Sequence, residues 1–325
     1  MNTIAVLMGG YSSEYQISLK SGNVVYNAIK TQCNAYRVHI LKDKWVCLDK
    51  NNTEYPIDKG DFSTTINNQK ITFDCVFNTV HGTPGEDGHM QGYFALLDIP
   101  QTSCDMYQAA LTFNKRDLLS VLRPYGIPMA TSVFYDKGDV IDSNAIVSKV
   151  GLPCFIKANR AGSSFGVTKV YNKEDIPKAI DIALKEDNQV LIESFLDGTE
   201  VSVGVITHKG KVTVLPITEI VSETDFFDYE AKYEGLSQEI TPARITESEA
   251  TDVSSIAKRI YEILGMTGFS RADFIFHNNT PHFIEINTTP GLSEESILPQ
   301  QAKCAGISLT ELFMSAINEA LNKKV

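Results

Sequence analysis

The chain has 325 residues, 43% of them hydrophobic and 21% charged, enough for two or three domains with sizeable cores. That composition excludes a disordered chain, a collagen and a coiled coil, and no run approaches the roughly 20 apolar residues that cross a bilayer. A net charge of −11 argues against tracking a nucleic-acid backbone, so neither nucleic acid nor membrane is an expected partner.

The first residues, MNTIAVLMGGYSSE, run straight into a strand pattern and do not read as a signal peptide. Thr3–Met8 is a buried strand closed by Gly9-Gly10, and Ser18–Lys30 is an amphipathic helix. Ala35–Leu41, Trp45–Leu48 and Phe73–Val80 read as strands, followed by the loop HGTPGEDG at 81–88. Helix Gln91–Leu97 and a short strand Ile99–Thr102 complete an α/β unit with a mostly parallel sheet over residues 1–112. The pattern then turns to α+β. Helix Lys115–Leu122, strand Thr131–Tyr135, a helix near Ser143–Val150 and strand Cys154–Ala158 lead to a small-residue loop, Asn159–Gly166. Strand Val167–Tyr171, helix Lys173–Glu186 and strand Gln189–Ser194 close a second unit, 113–200. The third unit, 201–325, opens on a hairpin around His208–Lys211 and continues through 222–242, a stretch without period that suits a lid. Helix Glu247–Leu264, a second hairpin and helix Leu309–Asn322 follow. Six cysteines, none in C-x-x-C spacing, suggest reduced thiols in the cytoplasm; Cys75 and Cys154 read as buried small hydrophobes.

The second hairpin carries the strongest chemical signal. It reads Arg271-Ala-Asp273-Phe-Ile-Phe, a turn, then His282-Phe-Ile-Glu285-Ile-Asn287. A turn centred on Asn279 sets Asp273 opposite Glu285 and Arg271 opposite Asn287. Opposed like charges repel unless compensated, and a divalent cation held by oxygen ligands, Mg²⁺ or Mn²⁺, would compensate. The competing reading is that Arg271 neutralises Asp273 and the carboxylates face solvent. Three weaker signals accompany the hairpin. Backbone N–H groups of the 159–166 loop could close over phosphates beside Lys157, or the loop is an ordinary hairpin. Glu14, at the first strand-to-helix turn, could hold a cationic group or merely complement the helix dipole. In HGTPGEDG, His81 and the acids could meet a ligand or cap the following helix.

The order of these segments resembles the D-alanine–D-alanine ligases of the ATP-grasp superfamily over nearly the whole chain. The landmarks are AVLMGG with Ser13-Glu14, HGTPGEDG, Phe113-Asn-Lys115, IKANRAGSSFGV, VLIESFLDGTE, FFDYEAKY, and SRADF followed by FIEINTTPGL. The resemblance implies an α/β N-terminal domain and two α+β ATP-grasp subdomains that clamp ATP. It assigns Lys115, Lys157, Ser163, Ser164 and Lys232 to ATP phosphates, Glu193, Phe195 and Leu196 to adenine, and Glu200 to ribose. Asp273, Glu285 and Asn287 would bind two Mg²⁺ or Mn²⁺ ions. Glu14 would take the ammonium of a first D-alanine, joined in a triad by Ser163 and Tyr233, with His81 and Lys232 also toward substrate. Ser296 would take the second carboxylate, and Arg271 with the Gly291 N–H would face the oxyanion. In that family a tyrosine at the position of Tyr233 goes with an amino acid as second substrate, whereas phenylalanine there goes with D-lactate. A homodimer is the usual assembly of the family.

Four departures from the family pattern stand out. Tyr15-Gln16 replace Arg-Glu after Glu14, Ser194 replaces a basic residue, Ala161 replaces an acid, and Glu294-Glu295 precede Ser296-Ile297. Two other functions compete: a different ATP-grasp carboxylate–amine ligase, and a nucleotide sensor that does not catalyse.

Overall fold

The computed structural model describes residues 1–162, 165–222 and 237–322. Three sheets organise it. The first is built from β1 (Thr3–Gly9), then α1 (Tyr15–Ile29), β2 (Asn34–Ile40), β3 (Trp45–Leu48), β4 (Glu54–Asp58), β5 (Ser63–Ile66), β6 (Gln69–Ile71) and β7 (Cys75–Asn78). Strand order is β6-β5-β4-β3-β2-β1-β7. Only β1 pairs in parallel, with β2 and with β7; the pairs from β2 to β6 are antiparallel. The expected mostly parallel sheet is therefore corrected. Short polar strands β4 to β6 extend it by hairpins, and their lack of an apolar run hid them from the pattern. Ile99–Thr102 contributes one parallel bridge, Gln101 to Val76, rather than a strand.

Helix α1 buries Ser18, Ser21, Gly22, Val25 and Ile29, a helical stripe of mostly small residues. It lies close against β1: a side chain at Gly22 would come within 2.7 Å of Met8. Ser18 stitches the two elements, its Oγ accepting from the Gly9 N–H and donating to the Thr79 carbonyl.

Helices α2 (His89–Leu96), α3 (Met106–Phe113) and α4 (Lys115–Leu122) lead to the second sheet. It comprises β8 (Ser132–Asp136), β9 (Cys154–Ala158), β10 (Thr168–Val170) and β11 (Gln189–Ser194), all antiparallel, with α5 (Ser143–Val150) and α6 (Ile176–Ala183) packed on it. The third sheet holds β12 (Gly198–His208), β13 (Lys211–Val214), β14 (Thr218–Ser222), β15 (Ser237–Ile240), β16 (Phe269–His277) and β17 (Thr280–Asn287). Helix α7 (Glu247–Ile263) starts at a capping box of Thr246 and Glu249. Val253, Ala257, Ile260 and Tyr261 of α7 share a core with Val201, Val203, Ala272 and Phe274 on one face of this sheet. Helices α8 (Ile297–Cys304) and α9 (Leu309–Asn322) end the chain. Although α9 is far in sequence from the first sheet, Phe313 packs on Phe77 of β7, ring centroids 5.6 Å apart.

The polar face of the third sheet is turned toward the second. Alternation along β12 and β16 puts Glu200, Ser202, Arg271, Asp273 and Ile275 on that face, opposite the core residues.

Candidate active site

Two cavities lie along this face. The first runs between the second and third sheets. Its walls include Phe155, Lys157 and Glu193 on one side, and Glu200, Asp273 and Glu285 on the other, with Lys115, Ala161, Gly162 and Leu196 at its edges. The second is about 410 Å³, within the roughly 300–1,000 Å³ usual for small-molecule sites. It is lined by Glu14, His81, Glu86, Gly291 and Ser296 among others. Gly162, Arg271, Glu285 and Ile297 line both cavities, so the two meet there.

The hairpin β16–β17 delivers its acids as the sequence predicts, by a different route. Arg271 stands opposite Asn287, and Asp273 opposite Glu285. The turn, however, centres between Asn278 and Asn279, both with positive φ, and pairs His277 with Thr280. A bulge then shifts the register, since Phe274 pairs with Phe283 while Asp273 pairs with Glu285. The extra residue, Ile284, restores the sum that a turn at Asn279 would have given. Without it, Glu285 and Asn287 would point to the opposite face from Asp273.

Asp273 is saturated with donors. Arg271 Nε and Nη2 reach its two oxygens at 3.1 and 2.9 Å, Ser202 Oγ donates to Oδ1, and Asn287 Nδ2 lies 3.3 Å from Oδ2. Arg271 does neutralise Asp273, but the carboxylates line a cavity instead of facing solvent. Burial disfavours the Arg271 charge, and Asp273, Glu285 and Glu239 outweigh it, so the guanidinium titrates above its ordinary value. Lys115 Nζ donates to the Ala161 carbonyl at 2.7 Å and lies 3.4 Å from Glu285. Among the described residues no three His, Cys, Asp or Glu side chains gather as a metal group; the hairpin supplies two carboxylates and an amide. All are hard oxygen donors once the Asn287 amide turns its Oδ1 inward, which suits Mg²⁺.

Lys157 and Glu193 form a buried ion pair at 2.5 Å. On antiparallel β9 and β11, Leu191 faces Lys157, which makes Glu193 its diagonal neighbour. Burial lowers the lysine, but Glu193, with Glu285 and Glu200, more than reverses this and holds its proton firmly. Phe195 stands behind the wall, its ring 6.2 Å from Phe155 and with Lys169 Nζ 4.2 Å from its centroid. Ser194 Oγ accepts from the Thr131 N–H at 3.1 Å, so this departure ties two strands together.

At the far end, Gly9 and Gly10 take φ of +100° and +106°, and a side chain at Gly10 would strike Val80 at 2.7 Å. Glu14 sits at the N-terminus of α1 but does not cap it. Its carboxylate instead reaches the loop that follows β9: a Cβ on Gly162 would lie 2.9 Å from Glu14 Oε2. In HGTPGEDG the acids divide their work. Asp87 accepts from the His89 N–H at the start of α2, while His81 and Glu86 line the second cavity. Burial pushes the His81 imidazole below its usual value, with Glu14 opposing. Burial and Glu14 push the Glu86 carboxyl up to about 8, so it holds a proton at neutral pH. Gly291 packs on Ser296, whose Oγ is 2.9 Å from Ser293 Oγ. Ser163, Ser164, Lys232 and Tyr233 lie outside the described residues, as does 223–236 of the lid segment.

Family models described as D-ala D-ala ligase N-terminus and D-ala D-ala ligase C-terminus match residues 3–104 and 121–318. The chain belongs to the D-alanine–D-alanine ligase family. The D-alanine–D-alanine ligase of Flavobacterium johnsoniae is 64% identical over 322 residues, spanning 99% of this chain and 100% of the relative. That of Phocaeicola vulgatus is 45% identical over 97% of this chain and 98% of its own length. Among solved structures, VanG D-Ala:D-Ser ligase from Enterococcus faecalis superposes with a TM-score of 0.85 at 31% identity, covering 98% of both chains. D-alanyl-alanine synthetase A from Vibrio cholerae gives 0.89 at 26% identity and covers 99% of both.

Within this ligase fold, sequence reasoning missed three residues. Ser202 donates to Asp273 from the neighbouring strand, and buried Gln301 of α8 donates to the Ser202 carbonyl at 2.8 Å and to Thr218 Oγ1 at 3.1 Å. Alternation along β12 would have found Ser202, since it shares a face with Glu200. Glu239 lines the second cavity, and only tertiary contact reveals it; Glu86, one of the HGTPGEDG acids, lines it as one of that loop's two readings expects.

Proposed function

We propose that the two cavities divide the ligation of two D-alanine molecules between them, ATP in the first and the amino acids in the second. The chain is an ATP-dependent D-alanine–D-alanine ligase that makes the dipeptide for peptidoglycan precursors. The observation that carries the division of labour is the junction of the cavities at Gly162, Arg271 and Glu285. A carboxylate in one cavity can there meet a phosphate in the other.

The reaction is two displacements. A carboxylate oxygen of the first D-alanine attacks the γ-phosphorus of ATP, and ADP leaves. The amine of the second attacks the acyl phosphate carbon, loses its proton, and phosphate leaves. In this reading Lys115 and Lys157 would meet the phosphates, and Glu193, Leu196 and Glu200 the adenine and ribose; that all five line the first cavity supports it. Asp273, Glu285 and Asn287 would hold Mg²⁺, which when bound offsets phosphate charge. Arg271 and the Gly291 N–H would face the tetrahedral oxyanion, Glu14 and His81 the first amino acid, and Ser296 the second carboxylate. Ser163, Ser164, Lys232 and Tyr233 keep the roles that the family resemblance gives them. The three sheets support working units of 1–112, 113–200 and 201–325, with α9 packing back on the first. The reading includes a homodimer, and a cytoplasmic reaction supplied by the ATP pool.

The test is ADP release with Mg-ATP and D-alanine, mass detection of the dipeptide, and Glu285→Gln alongside. Dipeptide formation that falls at least about 100-fold in the variant supports the reading. Turnover with a different amino acid only would replace the substrate; ATP binding without turnover would indicate a sensor.

Gly162→Ala tests the contact between the loop and Glu14. The clash is with the far end of a flexible side chain, so the melting temperature should stay within about 2 °C, the effect of well under 1 kcal/mol. Displacing the Glu14 carboxylate should raise the KM of the first D-alanine about tenfold, the equivalent of 1.4 kcal/mol. Unchanged KM would separate Glu14 from the first substrate.

A further inference from the structure

Helix α8 is held against the third sheet by two kinds of contact. Leu298 and Ala302 are fully buried and share a core with Ile206, Leu215 and Leu292. Against them β12 presents Gly204, where a side chain would come within 2.4 Å of Gln301 Oε1 and 2.8 Å of Leu298 Cδ1. The glycine is a notch that lets the helix lie directly on the strand. Apolar contacts of this kind set how deep the helix lies. They are non-directional, so they leave its slide along the strand open.

Gln301 supplies the direction. Its side chain is fully buried, and its Nε2 donates to the Ser202 carbonyl of β12 at 2.8 Å and to Thr218 Oγ1 of β14 at 3.1 Å. Thr218 Oγ1 in turn lies 2.6 Å from Thr241 Oγ1. Gln301 Oε1 finds no donor among the described residues, so the two Nε2 bonds orient the amide. Two bonds from one nitrogen to two strands keep their lengths and angles at one position of the helix only. The near end of α8 opens on the amino-acid cavity. Ser296, its N-cap residue, lines that cavity with Ile297, and a side chain at Gly291 would come within 2.8 Å of Ser296 Oγ. We infer that Gln301 is a positioning residue for the second amino acid: by pinning α8 to Ser202 and Thr218, it fixes Ser296 relative to Gly291 and so sets the subsite for the second carboxylate.

The inference rests on the ligase reading above, in which Ser296 takes the carboxylate of the second substrate. Strand β12 is itself fixed by its ladder to β16, which runs from Gly198 to Ile206. Loosening the clamp therefore moves the helix and not the strand that carries Glu200 and Ser202. Glu14 and His81 of the first-substrate end, and Lys115 and Lys157 of the nucleotide wall, stand on other elements. A slide of α8 would thus disturb one subsite of three.

The experiment compares the full chain with Gln301→Met and Thr218→Val under Mg-ATP at neutral pH, below the melting transition of each protein. The dipeptide is detected by mass, and the KM of each D-alanine and of ATP is measured separately. Gln301→Met keeps the volume and removes both donors. It should raise the KM of the second D-alanine about tenfold and leave those of the first D-alanine and of ATP within about twofold. Thr218→Val keeps the shape and removes one acceptor, and should raise the same KM about threefold. The double variant should be no worse than Gln301→Met alone, because its second change removes a bond already lost. Equal rises in all three constants, an unchanged KM for the second D-alanine, or additive effects in the double variant would overturn the inference. Absence of dipeptide from the wild type would instead overturn the ligase reading.

Discussion

Arg271→Met should lower kcat by about 10²–10³, the usual loss when one donor to a developing oxyanion is removed. It should also destabilise the fold by roughly 3–5 kcal/mol, because a buried carboxylate loses its countercharge. Asp273 is 9% exposed and would keep only Ser202 and Asn287 as donors. The two losses separate in the double variant Arg271→Met with Asp273→Asn. Denaturant unfolding should show most of the stability regained, since no unpaired charge remains. Activity should stay low, since neither the guanidinium nor the carboxylate is restored. If the double variant recovers turnover together with stability, Arg271 serves the fold alone.

Lys157→Met should have the second largest effect, roughly 3–5 kcal/mol of stability together with weakened ATP binding. The pair is buried at both ends, with side-chain exposures of 13% for Lys157 and 7% for Glu193. Adding Glu193→Gln should relieve the stability loss without restoring ATP affinity, which calorimetric titration would read. Recovery of ATP binding in the double variant would remove Lys157 from the nucleotide site. The sign of the pH dependence follows from the raised lysine value. The pair's contribution is fully present below the ordinary lysine value of 10.5 and is lost only as pH climbs through the higher folded value. Urea midpoints between pH 6 and about 9 should therefore show no loss from this pair, whereas a decline in that range would come from other groups.

Residues close in sequence or related by strand alternation were legible without coordinates. The hairpin opposition of Asp273 and Glu285 is one case, because a period of 2 and a short turn nearly determine it. Even there, a bulge at Ile284 and a turn one half-residue away compensated each other, and no local rule announces a bulge. The stripe of α1 shows the converse. Its apolar residues mark a helix, yet small side chains make the closest contact, since the spacing to β1 is decided by packing.

Motif and period carried the family, the helices, the apolar strands and the identity of most candidate ligands, because both are local properties of the chain. The pairing of Lys157 with Glu193, and the entry of Glu86 and Glu239 into the second cavity, arise only from the packing of distant segments. The same packing puts Arg271 on the wall of both cavities. Those facts depend on which faces of three separate sheets meet, and charges brought together across a chain of this length interact through space, with no trace in local spacing.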